Sequence, residues 1–381
     1  MIRRNDTMEN RGKAAILDRP KGEFIVEDAP LPDVREGELL VKQEMCGVCG
    51  TDVHIYHGHL PEIVCPIVLG HEVVGRIAKL GKGVKSDFTG EPVKEGDRIY
   101  VIPGIFCRKC YFCVVLREPT LCLNRRGLGF RPFPEQIPHF QGGYSEYIYV
   151  NHPNWNFIKM HVEPEVAVLL EPFTIGIHMV DRARIKAGDV AVIQGAGAIG
   201  LLTLVAARET GAYRTIVIGA PESRLELARE FGADITINIE EIKDPKERVD
   251  MVKEETTGKH GADIVFECTG VPQAVPEGIN MLRRGGTYVV AGHFTNAGDV
   301  KLNPFSHFTS KHITLIGVRG SDVTHFVRGR LILESGKYPF EKLVSHKLPL
   351  ERVADAMKTM TEGYRLDGRE VKKIVITPPA P

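Results

Sequence analysis

Four cysteines fall on one short stretch, spaced Cys107-x2-Cys110-x2-Cys113-x8-Cys122. Four soft thiolates brought to tetrahedral distance are what a closed structural Zn2+ site needs. An iron–sulfur cluster uses cysteine runs of similar spacing, although nothing else in the chain points to electron transfer, and buried unliganded thiols are the plain alternative. A second set of potential ligands is more dispersed: Cys49-Gly50-Thr51-Asp52-Val53-His54, then Gly70-His71-Glu72-x2-Gly75, and far downstream Leu170-Glu171-Pro172. A catalytic zinc wants three protein ligands and one open position, which Cys49, His71 and an acidic residue can supply. Taken singly, His71 could be a core histidine and Glu171 a boundary ion pair. Their combination points to a metal.

A third signature concerns phosphate. Gln194 ends an apolar run, and Gly195-Ala196-Gly197-Ala198-Ile199-Gly200 opens an apolar helical stretch. In that order the first glycine permits a tight turn, the second lets the backbone approach a pyrophosphate, and the third allows close helix packing. Free N–H groups at the helix N-terminus then hold the negative charge. Outside such a frame the same glycines are only a turn. About twenty residues on, where a carboxylate would bind the adenosine ribose and repel a 2′-phosphate, the chain has Gly219. Ser223 and Arg224 are the nearest candidates for a phosphate partner, with Arg224 as a merely solvated helix residue the plainer reading. NAD and NADP both stay open.

Elements able to position these groups are legible in outline. Between Lys13 and Val150 short β segments are broken by Gly, Pro and Asp: KAAIL, ELLVKQEMC, VVGRIAKL, GDRIYVIP and GYSEYIYV. From about Pro172, apolar strands alternate with helical stretches, which signals βαβ units in a parallel sheet. After about Gly320 a helix, strand, helix and strand follow without a glycine fingerprint. They are expected to return to the first domain, giving residues 1–172 plus 321–381 and an inserted 173–320. A stretch from Asn124 to Gln141 lacks clear structure and reads equally as a binding loop or as a brace for a subunit contact.

The chain has 381 residues, 43% hydrophobic and 26% charged, with 49 basic residues balancing 49 acidic ones. Two domains are expected at this length. Balanced charge leaves no field to hold nucleic acid or an anionic membrane, so a small neutral or weakly polar ligand fits better. No long apolar run follows the early arginines and none elsewhere would span a bilayer, so neither export nor membrane insertion is expected. A cytoplasmic setting, where thiols stay reduced, suits eight cysteines as metal ligands or buried thiols.

Together these residues resemble the zinc-dependent medium-chain alcohol and polyol dehydrogenases, over about Lys13 to Val375. GHEVVGRIAKLGKGV, from Gly70, matches the family's zinc signature throughout, and Cys49 to His54 and the four-cysteine loop match as well. The resemblance implies an α/β fold: a GroES-like, β-rich catalytic domain interrupted by a Rossmann doubly wound parallel sheet. It implies two zinc ions per chain, NAD or NADP, and an alcohol or ketone substrate. Cys49 and His71 would bind the catalytic zinc. The third ligand is cysteine in primary-alcohol members and glutamate in polyol members, and Glu171 stands at that position. Glu72 would lie beside the metal and ligate it in some states, so either glutamate could be the resting ligand. Asp52 would orient His71, while Thr51 and His54 match a proton relay.

A homodimer or homotetramer is implied too. The chain departs from the family in the x8 spacing before Cys122, where seven is commonest, in Gly219, and in a longer loop around Arg131 to Phe140. Rivals are a zinc-free quinone or enoyl reductase on the same fold, which would have no use for Cys49, His71 and Glu171, and a non-catalytic zinc- and nucleotide-binding protein.

Overall fold

The computed structural model describes residues 10–130 and 138–378. Part of the Asn124 to Gln141 loop, and most of its longer portion around Arg131 to Phe140, therefore lies outside the described residues. The chain divides into two units, 1–170 with 340–381, and 171–339.

Among the described residues, the first unit is built on a seven-stranded, largely antiparallel sheet and a smaller three-stranded one. Leu39–Gly47 is its central strand and pairs antiparallel with Glu72–Leu80 on one side and with Lys373–Thr377 on the other. Antiparallel pairing sets the end of one strand against the start of its neighbour, so Gly47 lies opposite Glu72. That register decides where the chemistry falls. The buried Gln43 amide donates to the carbonyls of Gly143 at 2.8 Å and Ile376 at 3.2 Å, tying the C-terminal strand into the sheet. A core of Leu39, Val41, Val73, Ile77, Ile99, Ile374 and their neighbours closes over it.

In the second unit every residue of Val190–Gln194 is buried, as expected of a parallel strand covered on both faces. Sheet order runs Ile235–Asn238, Arg214–Gly219, Val190–Gln194, Ala262–Glu267, Leu282–Val290, Thr314–Gly317, all parallel. This is the doubly wound order whose direction of winding reverses between Val190–Gln194 and Ala262–Glu267, the place where such sheets bind dinucleotides.

The return to the first unit falls at residue 340, later than the sequence-based division at 321. The intervening helix Val323–Leu333 is held inside the second unit by polar contacts: Arg328 bonds Asp181 at 2.5 Å, and His325 lies 3.5 Å from the same carboxylate. Tyr338 then donates to Glu209 at 2.8 Å and stacks on Phe231. Hydrophobic patterning does not report contacts of this kind. No helix among the described residues is long and apolar enough to cross a membrane.

Candidate active site

Cys49 and His71 arise from the paired strand ends. Two residues beyond Gly47, Cys49 caps the helix Gly50–Tyr56, while His71 immediately precedes the Glu72–Leu80 strand. Donor atoms of Cys49, His71 and Glu72 all lie within 4.8 Å of one another. Zinc bond lengths of about 2.0–2.3 Å put tetrahedral ligand atoms roughly 3.3–3.8 Å apart, so a small inward movement of these side chains would enclose an ion. A soft thiolate, an imidazole and a carboxylate form a donor set that suits Zn2+. Glu171, the other carboxylate singled out by the sequence, is buried in the first turn of Leu170–Ala183, at the start of the second unit.

Asp52 organises the group. Fully buried, its carboxylate accepts the Cys49 backbone N–H at 2.9 Å and the Tyr144 hydroxyl at 2.9 Å, and lies 3.3 Å from His71 Nδ1. Burial alone would raise its pKa, but the charge and hydrogen bond of His71, with the Cys49 and Tyr144 donors, hold it below the ordinary value. Burial likewise opposes a charged His71, yet Asp52 and then Cys49 outweigh it and hold that imidazole's pKa well above its usual value. With Nδ1 facing Asp52, Nε2 would be the nitrogen that binds a metal.

Tyr144 and Lys373 are members of the site that sequence reasoning missed. Tyr144 has no exposed surface, and burial, followed by the charge of Asp52, keeps its hydroxyl protonated as a donor. Gly70 has φ +89°, and a Cβ there would come within 2.7 Å of both Cys46 Sγ and the Tyr144 ring, so the glycine of the zinc signature is a packing requirement. Lys373 reaches Glu72 Oε1 at 2.6 Å and Oε2 at 2.5 Å. Thr51 Oγ1 lies 3.5 Å from Cys49 Sγ, and His54 occupies the last turn of the same helix, its Nδ1 3.2 Å from His59 Nδ1.

The other metal candidate is compact. Sγ atoms of Cys107, Cys110, Cys113 and Cys122 lie within 4.8 Å of one another on a lobe formed by the short helix Tyr111–Val114 and the turn Pro119–Leu121. Hydrogen bonds, first from the Lys109 backbone N–H, pull the Cys107 thiol down to about 6, whereas burial and then Cys110 push Cys113 up to about 12. Cys110 is lowered too, chiefly by the Cys113 backbone N–H, while burial raises Cys122, so the loop favours the thiolate at two of its four sulfurs. All four ligand positions are protein sulfur, which leaves none open for a substrate.

At the reversal of the second sheet, Gly195 has φ +109°, and Gly197 caps the helix Ala198–Thr210. A Cβ at Gly200 would fall 1.8 Å from the Gly195 carbonyl oxygen, so the turn and helix pack at a distance only glycine allows. A Cβ at Gly197 would meet nothing within 4 Å, and Ala198 and Ile199 begin the helix directly after it. Gly219 is also demanded by packing, since a Cβ there would sit 2.7 Å from that of Ala196 and 2.8 Å from its nitrogen. Ser223 and Arg224 lie half-buried in the first turn of Glu222–Glu230, where Glu222 is engaged by Arg229 at 2.5 Å and Asn238 at 3.1 Å.

Residues 35–161 match the model of the alcohol dehydrogenase GroES-like domain, and residues 198–330 that of the zinc-binding dehydrogenases. Sorbitol dehydrogenase of Halalkalibacterium halodurans is 30% identical over 358 residues, covering 94% of this chain and 96% of that protein. The chain belongs to the zinc-dependent alcohol dehydrogenase family. Crystal structures agree with this. An alcohol dehydrogenase from Thermotoga maritima superposes with a TM-score of 0.88 at 34% identity, over 97% of this dehydrogenase and 99% of that chain. A zinc-binding dehydrogenase from Sinorhizobium meliloti, solved bound to NADP, gives 0.82 at 28% identity over 97% and 99%.

Proposed function

We propose that this dehydrogenase oxidises a secondary alcohol or polyol, and reduces the matching ketone, using Zn2+ and NAD(P). The observation that carries the reading is the convergence of Cys49, His71 and Glu72 donors on one point, with Asp52 behind His71. Zn2+ bound there supplies Lewis-acid polarisation of an alcohol oxygen, and the nicotinamide supplies the hydride acceptor. Cys49 and His71 hold the metal with a carboxylate, Glu72 from the cluster or Glu171 by family resemblance. Asp52 fixes the His71 ring, and its bond to the Cys49 N–H fixes the sulfur. The Thr51 hydroxyl accepts the alcohol proton as it gives up its own, and His54 takes that proton onward.

Cys107, Cys110, Cys113 and Cys122 hold a second, structural zinc. Gly195, Gly197 and Gly200, with the helix start at Ala198 and Ile199, receive the pyrophosphate. Without a carboxylate at Gly219, nothing at that position repels a 2′-phosphate, and Ser223 and Arg224 are the side chains nearest in sequence to meet one. NADP is therefore admitted alongside NAD. The family resemblance supports a cytosolic homodimer or homotetramer, whose assembly light scattering would test.

A zinc-replete sample assayed against secondary alcohols, sugar alcohols, 2,3-diols and ketones with both coenzymes tests the reading. Turnover of at least one alcohol–ketone pair is expected, and none with either coenzyme would contradict it.

A further inference from the structure

The helix Gly50–Tyr56 and the turn after it carry three histidines, His54, His57 and His59, of which the proposed function uses only the first. His54 and His59 face each other through Nδ1 atoms 3.2 Å apart, with ring centroids 5.5 Å apart and planes tilted by 45°. His59 is exposed, whereas His54 is partly covered. The His57 ring stacks on His59, with centroids 5.6 Å apart and planes 23° from parallel, while its own Nε2 is held 3.1 Å from Thr361 Oγ1. An Nδ1-to-Nδ1 approach uses one nitrogen as donor and the other as acceptor. That leaves Nε2 of His54 and Nε2 of His59 as the two outer ends of a hydrogen-bonded pair.

We propose that His59 is the exit of the proton path: a proton accepted by His54 is handed through the Nδ1–Nδ1 hydrogen bond to His59, which releases it to water. The proposal rests on the dehydrogenase reading above. One proton is bound at His54 Nε2, the His54 Nδ1–H bond breaks as the His59 Nδ1–H bond forms, and the His59 Nε2–H proton goes to water or buffer. Each imidazole ends neutral with its tautomer reversed, and exchange with solvent resets the pair.

The surroundings suit a donor rather than a proton trap. Burial first, then the neighbouring His59 and His57, hold the His54 pKa below its ordinary value, so an imidazolium there gives up its proton readily. His57 is lowered in the same way, by burial, His59 and then Lys21, whose backbone N–H bonds the Tyr56 carbonyl. Thr361, from the helix Val353–Thr361, is the polar group that this packed element turns towards the cluster. His57 contacts Thr361 and stacks on His59 but takes no part in the Nδ1–Nδ1 bond.

The test is His59→Gln, with His57→Gln alongside, in the zinc-loaded full chain. Histidine NMR titration should show the His54 midpoint moving upward in His59→Gln, because a neighbouring positive charge is gone. Alcohol oxidation below about pH 7 should fall roughly threefold to tenfold in His59→Gln and recover with added imidazole or concentrated buffer, while zinc content and KM for alcohol stay at wild-type values. His57→Gln should keep the wild-type buffer response. An unshifted His54 titration, or a His59→Gln rate equal to wild type at every buffer concentration, overturns the path. A wild-type chain that oxidises no alcohol removes the dehydrogenase reading and the path together, whereas an active wild type with an indifferent His59→Gln removes the path alone.

Discussion

Lys373 donates to Glu72 at 2.6 Å, and the pair occupies space that exists because residue 47 has no side chain. A Cβ on Gly47 would lie 1.8 Å from Glu72 Oε2 and 3.0 Å from Lys373 Cε. Strand register explains this, since Gly47 is paired with Glu72 on one side and with Val375, two residues beyond Lys373, on the other. Glu72 has no exposed surface, and Lys373 is the cation paired with it. Removing one partner of a buried ion pair leaves an uncompensated charge, at a cost of about 3–5 kcal/mol. Lys373→Met should lower unfolding free energy by about that amount in chemical denaturation, and a change below about 1 kcal/mol would show that the pair is not what neutralises Glu72.

Asp52→Asn keeps the shape of the side chain that binds Cys49 and faces His71 but removes its charge. Loss of the group that orients a metal-binding histidine weakens metal affinity by about 10- to 100-fold. Chelator competition on the purified chain should show a fall of that size at the Cys49–His71 site with the four-cysteine site unaffected. Equal zinc affinity in variant and wild type would remove Asp52 from its role.

Much of this site is legible in the amino-acid sequence. Cys49, His71, Glu72 and the four cysteines stand in short motifs whose residue types dictate metal chemistry, and the glycine turn announces its own strand and helix. Asp52 could be placed only through the family resemblance. Tyr144 and Lys373 could not, being separated from Asp52 and Glu72 by long stretches of chain: strand pairing brings Lys373 near, and backbone bonds to Leu69 and Ala15 bring Tyr144. Local sequence carries no register. Similarly, Phe24–Pro30 shows mostly exposed positions, so its hydrophobic alternation is faint, and the helix Gly50–Tyr56 spans only seven residues, too few for a clear period.

Cys107→Ser should act on stability more than on chemistry. Structural zinc contributes its binding free energy to folding, so the variant is expected to lose one zinc per chain and unfold at lower temperature, while the fraction still folded keeps most of its turnover. Metal analysis combined with a thermal melt checks this. A normal melt with that zinc gone would contradict a structural role.

Gly219→Asp is expected to fail as a route to NAD preference. In related folds a carboxylate at this point binds the ribose, but here the new Cβ meets Ala196 at 2.7 Å, inside the glycine turn itself. The pyrophosphate cradle should be disturbed, raising KM for NAD+ and NADP+ alike by about tenfold or more. Improved NAD+ binding with NADP+ excluded would show that the turn yields easily.

The central claim is that a metal held by Cys49 and His71 carries the chemistry. Zinc content, dinucleotide affinity and initial rate on a secondary alcohol should be measured together in wild type and Cys49→Ala. The account predicts one zinc fewer in the variant, coenzyme binding close to wild type, and turnover lowered by roughly 100-fold or more. Undiminished turnover in a Cys49→Ala chain that has lost this zinc would contradict it.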